Sequence, residues 1–189
     1  MQAEMNVTIE GVTPLLLSNG IAADPSDPRV ILRSKVTKKR NKTPADHLEI
    51  ARMDWELGLY LNKDGKIILP GSNFNASIIE GARKFKMGKQ AESGVCVSND
   101  APIDFPDKRK SVDSLYEMGR YTFRRMVGSK RGRIVCVSPR FDEWKATFQI
   151  LFDDEICNPE DLREWIVMGG RMAGVGAYRK QFGKYRIVE

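Results

Sequence analysis

The elements legible in this chain predict an α+β fold built on a ferredoxin-like (βαββαβ, RRM-like) core with insertions. Three observations predict it. An alternating apolar strand opens the chain, two proline-led helices lie far apart in it, and a strand-like segment closes it. The 189 residues suit one domain, 1–189, large enough to bury a core without disulfides or metal. Insertions are expected at 18–69 and about 99–137, the second holding a basic β-hairpin.

In chain order, Met5-Asn6-Val7-Thr8-Ile9-Glu10-Gly11 alternates apolar and polar side chains, so it reads as a strand with one buried face. Residues 18–41 contain Pro25 and Pro28 and show little periodicity, which predicts a long exposed loop. Thr43-Pro44-Ala45-Asp46 starts a helix. Threonine caps it, proline at the first turn wastes no donor, and aspartate suits the positive helix end. Leu48, Ala51 and Trp55 then share a face, and Gly58 ends the pattern. Residues 59–61 and 67–69 flank Asn62-Lys63-Asp64-Gly65 as a hairpin.

Pro70-Gly71-Ser72 introduces a second helix with Ser72 as its cap, and Phe74, Ile78, Ala82 and Phe85 recur at helical spacing. Residues 95–97 read as a short strand, followed by a Pro/Asp-rich loop to about Tyr116. Residues 121–127 and 133–137 read as a second hairpin with 128–132 at its tip, and residues 144–152 as a strand. Asn158-Pro159-Glu160-Asp161 starts a last helix with Leu162, Trp165 and Ile166 inward. A glycine-punctuated loop at 169–183 and a strand at 184–188 complete the order.

The residue inventory narrows the function. Cys96, Cys136 and Cys157 are odd in number and widely spaced, so they build neither a disulfide framework nor a zinc pattern. A single histidine, His47, in the first turn of a helix leaves the usual zinc sites and His-activated nucleophiles without their parts. No cofactor and no metal is expected. No run approaches the ~18 apolar residues of a membrane span, and the first residues lack signal-peptide features, so no membrane partner and a cytoplasmic location are expected.

The net charge of +6 hides a sharper segregation. Four windows, 29–43, 83–89, 119–140 and 171–186, contain no acid, while the acids gather mainly at 99–117 and 142–164. Phosphate contacts are expected from Lys35, Lys38, Lys39 and Arg40 in the first window and Arg83 and Lys84 in the second. The third offers Arg124, Arg125, Lys130, Arg131 and Arg133, with Met126 or Val127 placed to wedge between bases. The fourth offers Arg171, Arg179, Lys180 and Lys184, with Tyr178, Phe182 and Tyr185 for stacking and glycines to bring backbone N–H groups near a ligand. Two readings stand: one shared positive face, or four separate solvated segments. Asp100, Asp104, Asp107 and Asp113 likewise read either as turn formers or as a Mg²⁺ site for phosphoester hydrolysis.

Three segments resemble a known family. Val7-Thr8-Ile9-Glu10-Gly11-Val12-Thr13-Pro14-Leu15 is similar to the first strand of the RAMP superfamily, the repeat-associated proteins of CRISPR effector complexes. Leu69-Pro70-Gly71-Ser72-Asn73-Phe74-Asn75-Ala76-Ser77-Ile78-Ile79-Glu80-Gly81-Ala82-Arg83 resembles the family's entry into its first core helix. Gly174-Val175-Gly176-Ala177-Tyr178-Arg179-Lys180-Gln181-Phe182-Gly183-Lys184-Tyr185 resembles its C-terminal glycine-rich loop. Within the family, the resemblance is to the backbone subunit that polymerises along guide RNA and to short phage-encoded relatives.

The resemblance implies a modified ferredoxin-like fold, sequence-independent RNA backbone binding and head-to-tail assembly. It implies a projecting hairpin that splays bases, for which residues 121–137 are the candidate. Some members cleave RNA with a loop aspartate or a histidine. No residue here matches those sites, so binding and not catalysis carries over. The expected function is non-enzymatic, largely sequence-independent single-stranded nucleic-acid binding with side-by-side assembly along the strand. RNA is favoured, and single-stranded DNA is the close rival. The partners are that strand, further copies in a homo-oligomer or filament, and CRISPR effector subunits. The alternatives are a metal-dependent nuclease using the loop carboxylates, and a phage-encoded mimic or inhibitor that enters a host CRISPR complex without binding nucleic acid.

Overall fold

The computed structural model describes residues 2–129, 132–179 and 181–188. It is a mixed α+β structure with antiparallel sheets. The strands are β1 (Gln2–Gly11), β2 (Leu15–Leu16), β3 (Ile68–Leu69), β4 (Val95–Cys96), β5 (Ala101–Asp104), β6 (Thr122–Ser129), β7 (Gly132–Phe141), β8 (Lys145–Asp153) and β9 (Tyr185–Val188). The helices are α1 (Pro28–Thr37), α2 (Pro44–Leu57), α3 (Gly71–Arg83), α4 (Gly88–Gly94), α5 (Val112–Glu117) and α6 (Pro159–Met172), with a 3-10 turn at Gly20–Ala23. The chain forms two compact units. The first holds the chain up to Leu15, Leu61–Lys108 and the chain from Phe141; the second holds Leu16–Tyr60 and Arg109–Arg140.

In the first unit the strands lie in the order β3-β5-β8-β1-β9, with β4 also paired to β8. β1 and β8 run antiparallel from Gln2↔Asp153 to Glu10↔Lys145. Alternation works as the sequence implies: Val7 and Ile9 of β1, and Ala146, Phe148, Ile150 and Phe152 of β8, are buried. Phe74 of α3 stacks on Phe148, with ring centroids 4.1 Å apart. Leu162, Trp165 and Ile166 of α6 are buried as expected.

α3 and α6 approach backbone to backbone. A methyl group at Gly81 would run into the Trp165 carbonyl, and one at Gly169 into the Ser77 carbonyl. That contact explains why residues 169–172, expected in a loop, continue α6 instead: their glycines serve helix packing and do not end the helix. The Ser77 hydroxyl meets the Tyr185 hydroxyl at 2.9 Å in the interior. Burial pushes the Tyr185 phenol up to about 12.

Ser72 was expected to cap α3, but the helix begins at Gly71 and Pro70 occupies the cap position. The Asp100 carboxylate accepts from the Gly71 N–H at 3.0 Å instead, so a distant loop supplies the cap. Phe85 lies past the helix end and is exposed. The hairpin expected across 59–69 reduces to a single bridge, Leu61↔Ile67, because β3 pairs with β5. The stretch expected as irregular to Tyr116 contains β5 and α5, and α4 precedes β4.

In the second unit α2 has a complete capping box. Thr43 Oγ1 accepts from the Asp46 N–H, and Asp46 Oδ2 accepts from the Thr43 N–H at 2.8 Å. Trp55 is fully buried and donates to the Tyr121 carbonyl at 2.8 Å. Leu48, expected to share a face with Ala51 and Trp55, is 61% exposed while those two are buried. The segment 18–41, expected as a loop, contains α1. Asp27 caps it by accepting from the Arg29 N–H at 2.8 Å, and Pro28 takes the first helical position. Its periodicity was weak because only Val36 is buried, while Ile31 and Leu32 are exposed. β6 and β7 form the expected hairpin, in register from Thr122↔Pro139 to Ser129↔Gly132, but Gly128, Ser129 and Gly132, expected at its tip, belong to the paired strands.

Gly81→Ala is expected to destabilise the protein by about 2–3 kcal/mol, because the added methyl meets backbone rather than a side chain that can yield. Urea unfolding, read as a fall in midpoint at unchanged m-value, checks this.

Candidate nucleic-acid interface

Side chains directly opposite in an antiparallel pair share a face. One face of the β6–β7 hairpin therefore carries the pairs Arg124/Val137, Met126/Val135 and Gly128/Arg133. Met126 and Val135 are 69% and 53% exposed. Arg124 and Arg133 are exposed and carry no ion pair among the described residues. An apolar cross-strand pair thus stands in water between two unneutralised cations. The opposite face carries Phe123/Ser138, Arg125/Cys136 and Val127/Ile134. The Arg140 guanidinium lies 5.8 Å from the Phe123 ring centre. Lys130 and Arg131, expected at the tip, lie outside the described residues.

The first basic window is partly spent on local acids. Arg29 pairs with Asp27 at 2.9 Å, Arg33 with Asp54, and Lys39 with Asp46 at 2.5 Å. The Arg29 guanidinium holds the Asp27 carboxyl at about 2. The Lys39 ammonium, helped by Thr43, holds Asp46 at about 2. Lys35, Lys38 and Arg40 are exposed and make no ion pair among the described residues.

In the first unit, Arg83 pairs with Glu80 at 2.6 Å and Glu92 at 2.8 Å, whereas Lys84 is exposed without a partner among the described residues. The glycine-rich loop spends its N–H groups internally. Gly174 donates to the Gly169 carbonyl, Val175 to Gly183, Gly176 to Asn73 Oδ1, and Gly183 to Pro14. The expectation that these glycines offer their N–H groups to a ligand is therefore corrected. They permit a tight crossing: a side chain at Gly183 would strike the Val175 carbonyl, and both Gly174 and Gly183 have positive φ. Arg171, Tyr178 and Arg179 are exposed, and Phe182 is half-buried. Lys184 donates to the Met172 carbonyl at 2.5 Å at the end of α6. Burial, aided by Arg179, lowers its pKa. Lys180 lies outside the described residues.

The loop carboxylates have separate tasks. Asp100 caps α3, Asp104 pairs with Lys108 at 2.7 Å, and Asp113 pairs with Arg52, while Asp107 sits in the turn after β5. Among the described residues, no group of three or more His, Cys, Asp or Glu side chains is placed to hold a metal ion. His47 is exposed on α2, and burial pushes the Cys157 thiol up to about 11. No helix of the described residues is long and apolar enough to cross a membrane.

Sequence reading missed a groove of about 510 Å³ at the root of β6. Arg52 and Tyr116 line it, with the Arg52 guanidinium 5.8 Å from the Tyr116 ring centre. The Arg52/Glu56 spacing was visible as a helical ion pair, but nothing local to it announced Tyr116, which lies 64 residues onward.

No family model and no curated protein matches the chain. Among solved structures, it is similar to a chain of the Type III-B Cmr-beta complex bound to cognate target RNA. That likeness has 12% identity and a TM-score of 0.51, and covers 98% of this chain and 59% of that one. It also aligns with Cmr6 from Pyrococcus furiosus at 11% identity and TM-score 0.47, covering 100% and 99% of the two chains. A Cas6 product complex aligns at 14% identity and TM-score 0.25, covering 97% and 50%. The chain shares its fold with that Cmr-beta chain and spans about three-fifths of its length.

The depressed Asp46 carboxyl contributes stability above its ordinary pKa and loses it as pH falls through about 2. Amide-exchange protection at the start of α2 is therefore expected to hold down to about pH 4 and to decline toward pH 2. In Asp46→Asn that acid-dependent decline should be absent.

Proposed function

We propose that the chain is a non-catalytic subunit that binds single-stranded nucleic acid, RNA in preference to single-stranded DNA. It reads little sequence and assembles side by side along the strand with CRISPR effector subunits. The observation that carries this reading is the hairpin face on which exposed Met126 and Val135 stand between Arg124 and Arg133, which carry no ion pair among the described residues. Arginines that neutralise phosphates gain free energy from released counterions regardless of base identity. An exposed apolar pair between them gives a base a surface to leave water for. Exposed Lys35, Lys38 and Arg40 in the same unit, and Arg171, Tyr178 and Arg179 in the other, are the further candidates.

The topology supports a modified ferredoxin-like, RRM-like core. β1 lies between β8 and β9, which α6 connects, and β8 lies between β1 and β5, with α3 in the connection from β1 to β5. On this reading the chain is one RAMP-like domain. The insertions expected at 18–69 and about 99–137 overlap the second unit, Leu16–Tyr60 and Arg109–Arg140. The Cmr-beta structure, whose fold the chain shares, holds target RNA.

Fluorescence anisotropy against RNA, single-stranded DNA and duplex of several lengths tests the proposal. Contacts with about four to six phosphates give a log–log salt slope of roughly −3 to −4 on a single strand. The double variant Arg124→Gln/Arg133→Gln should make that slope less negative by about 1.4. Met126→Ser should weaken binding at unchanged slope. Affinity that rises in steps with strand length is the signature of side-by-side assembly. No binding to any of these at low salt overturns the proposal and favours a protein-only role. Strand cleavage in Mg²⁺ that Asp104→Ala abolishes overturns its non-catalytic part.

A further inference from the structure

The groove at the root of β6 lies wholly within the second unit, lined by Leu48 and Arg52 of α2, Tyr116 and Glu117 of α5, and Thr122 and Arg124 of β6. Its volume, about 510 Å³, falls in the range that takes a small planar ligand. Four features mark it as more than a crevice between elements. The Arg52 guanidinium is laid over the Tyr116 ring and tethered by Glu56 at 2.8 Å and by Asp113. This makes a platform of guanidinium and aromatic ring whose charge is already matched by acids. Leu48 adds exposed apolar surface beside it. The Thr122 hydroxyl is buried and has no hydrogen-bond partner among the described residues. Arg124 stands exposed and without an ion pair among the described residues.

The chemistry selects the occupant. A guanidinium–aromatic platform favours a planar π-system, and an unpaired hydroxyl needs a polar edge to meet. Arg124 suits a phosphate. The Glu117 carboxylate, which also lines the groove, repels a phosphate but accepts from an exocyclic amino group, so a base edge and not the backbone suits it. Arg124 also belongs to the hairpin face proposed above to carry the strand, so the groove opens beside the same path.

We infer that this groove is a base subsite, holding one unstacked nucleobase of the bound strand. The base lies against the Arg52–Tyr116 platform and Leu48, its edge meets Thr122 and Glu117, and its phosphate meets Arg124. The inference rests on the nucleic-acid reading and adds a subsite to it.

The test compares the affinity of the full chain for an RNA oligomer and for an abasic ribose-phosphate oligomer of equal length. The wild-type chain should prefer the base-bearing strand by about tenfold, within the range for one stacked base. Thr122→Val, which keeps the side-chain shape, and Leu48→Gln, which adds no charge at an exposed position, should each cut that preference at least threefold. Both should leave abasic-strand affinity unchanged. Photocross-linking with 5-iodouridine RNA should give an adduct on Tyr116. A preference unchanged in both variants, or adducts only outside the groove, overturns the subsite and leaves the nucleic-acid reading standing. Absence of RNA binding by the wild-type chain overturns both.

Discussion

The first unit depends on the place where α3 and α6 touch without side chains between them. Gly81 meets the Trp165 carbonyl, and Gly169 meets the Ser77 carbonyl. With the helices this close, Ser77 reaches the Tyr185 hydroxyl and closes an interior hydrogen bond between α3 and β9. β9 is thereby held against β1, and the glycine-rich loop that leads into it is pulled into its tight crossing. Bulk at either glycine would separate the helices and disturb each of these contacts in turn.

Much of the fold was legible because its signals are local. Thr43-Pro44 and Asn158-Pro159 mark helix starts that cap and proline chemistry alone dictate, and both helices begin there. The same signal at Asp27-Pro28 was present but masked by two prolines and a basic composition in a helix that buries one apolar residue. The departures share a non-local cause. Ser72 lost the cap to Asp100, which sits 29 residues beyond the Gly71 whose N–H it accepts. Gly169 and Gly170 look like a helix stop until the partner helix they accommodate is known.

The candidate interface was legible as composition but not as geometry. The hairpin and its charge followed from sequence, but whether Met126 or Val127 is the exposed apolar group depends on register, and pairing puts Met126 beside Val135 between the arginines. Counting cations overstated the available charge, since Arg29, Arg33, Lys39 and Arg83 are already matched to acids. Such pairs at the surface contribute little stability, but they reduce the charge left for a ligand. The groove draws its walls from α2, α5 and β6, and no pattern within any one of them reveals it.

The crossing at Pro14 and Gly183 has a consequence for how the chain is made. Val12 donates to the Lys184 carbonyl, Gly183 donates to Pro14, and β1 pairs with β8 and β9. β1 thus has both of its sheet neighbours far downstream in the sequence. During synthesis it stays unpaired until those segments have emerged. Sheet formation here is a late, long-range event, and slow folding with a vulnerable nascent edge follows from connectivity alone.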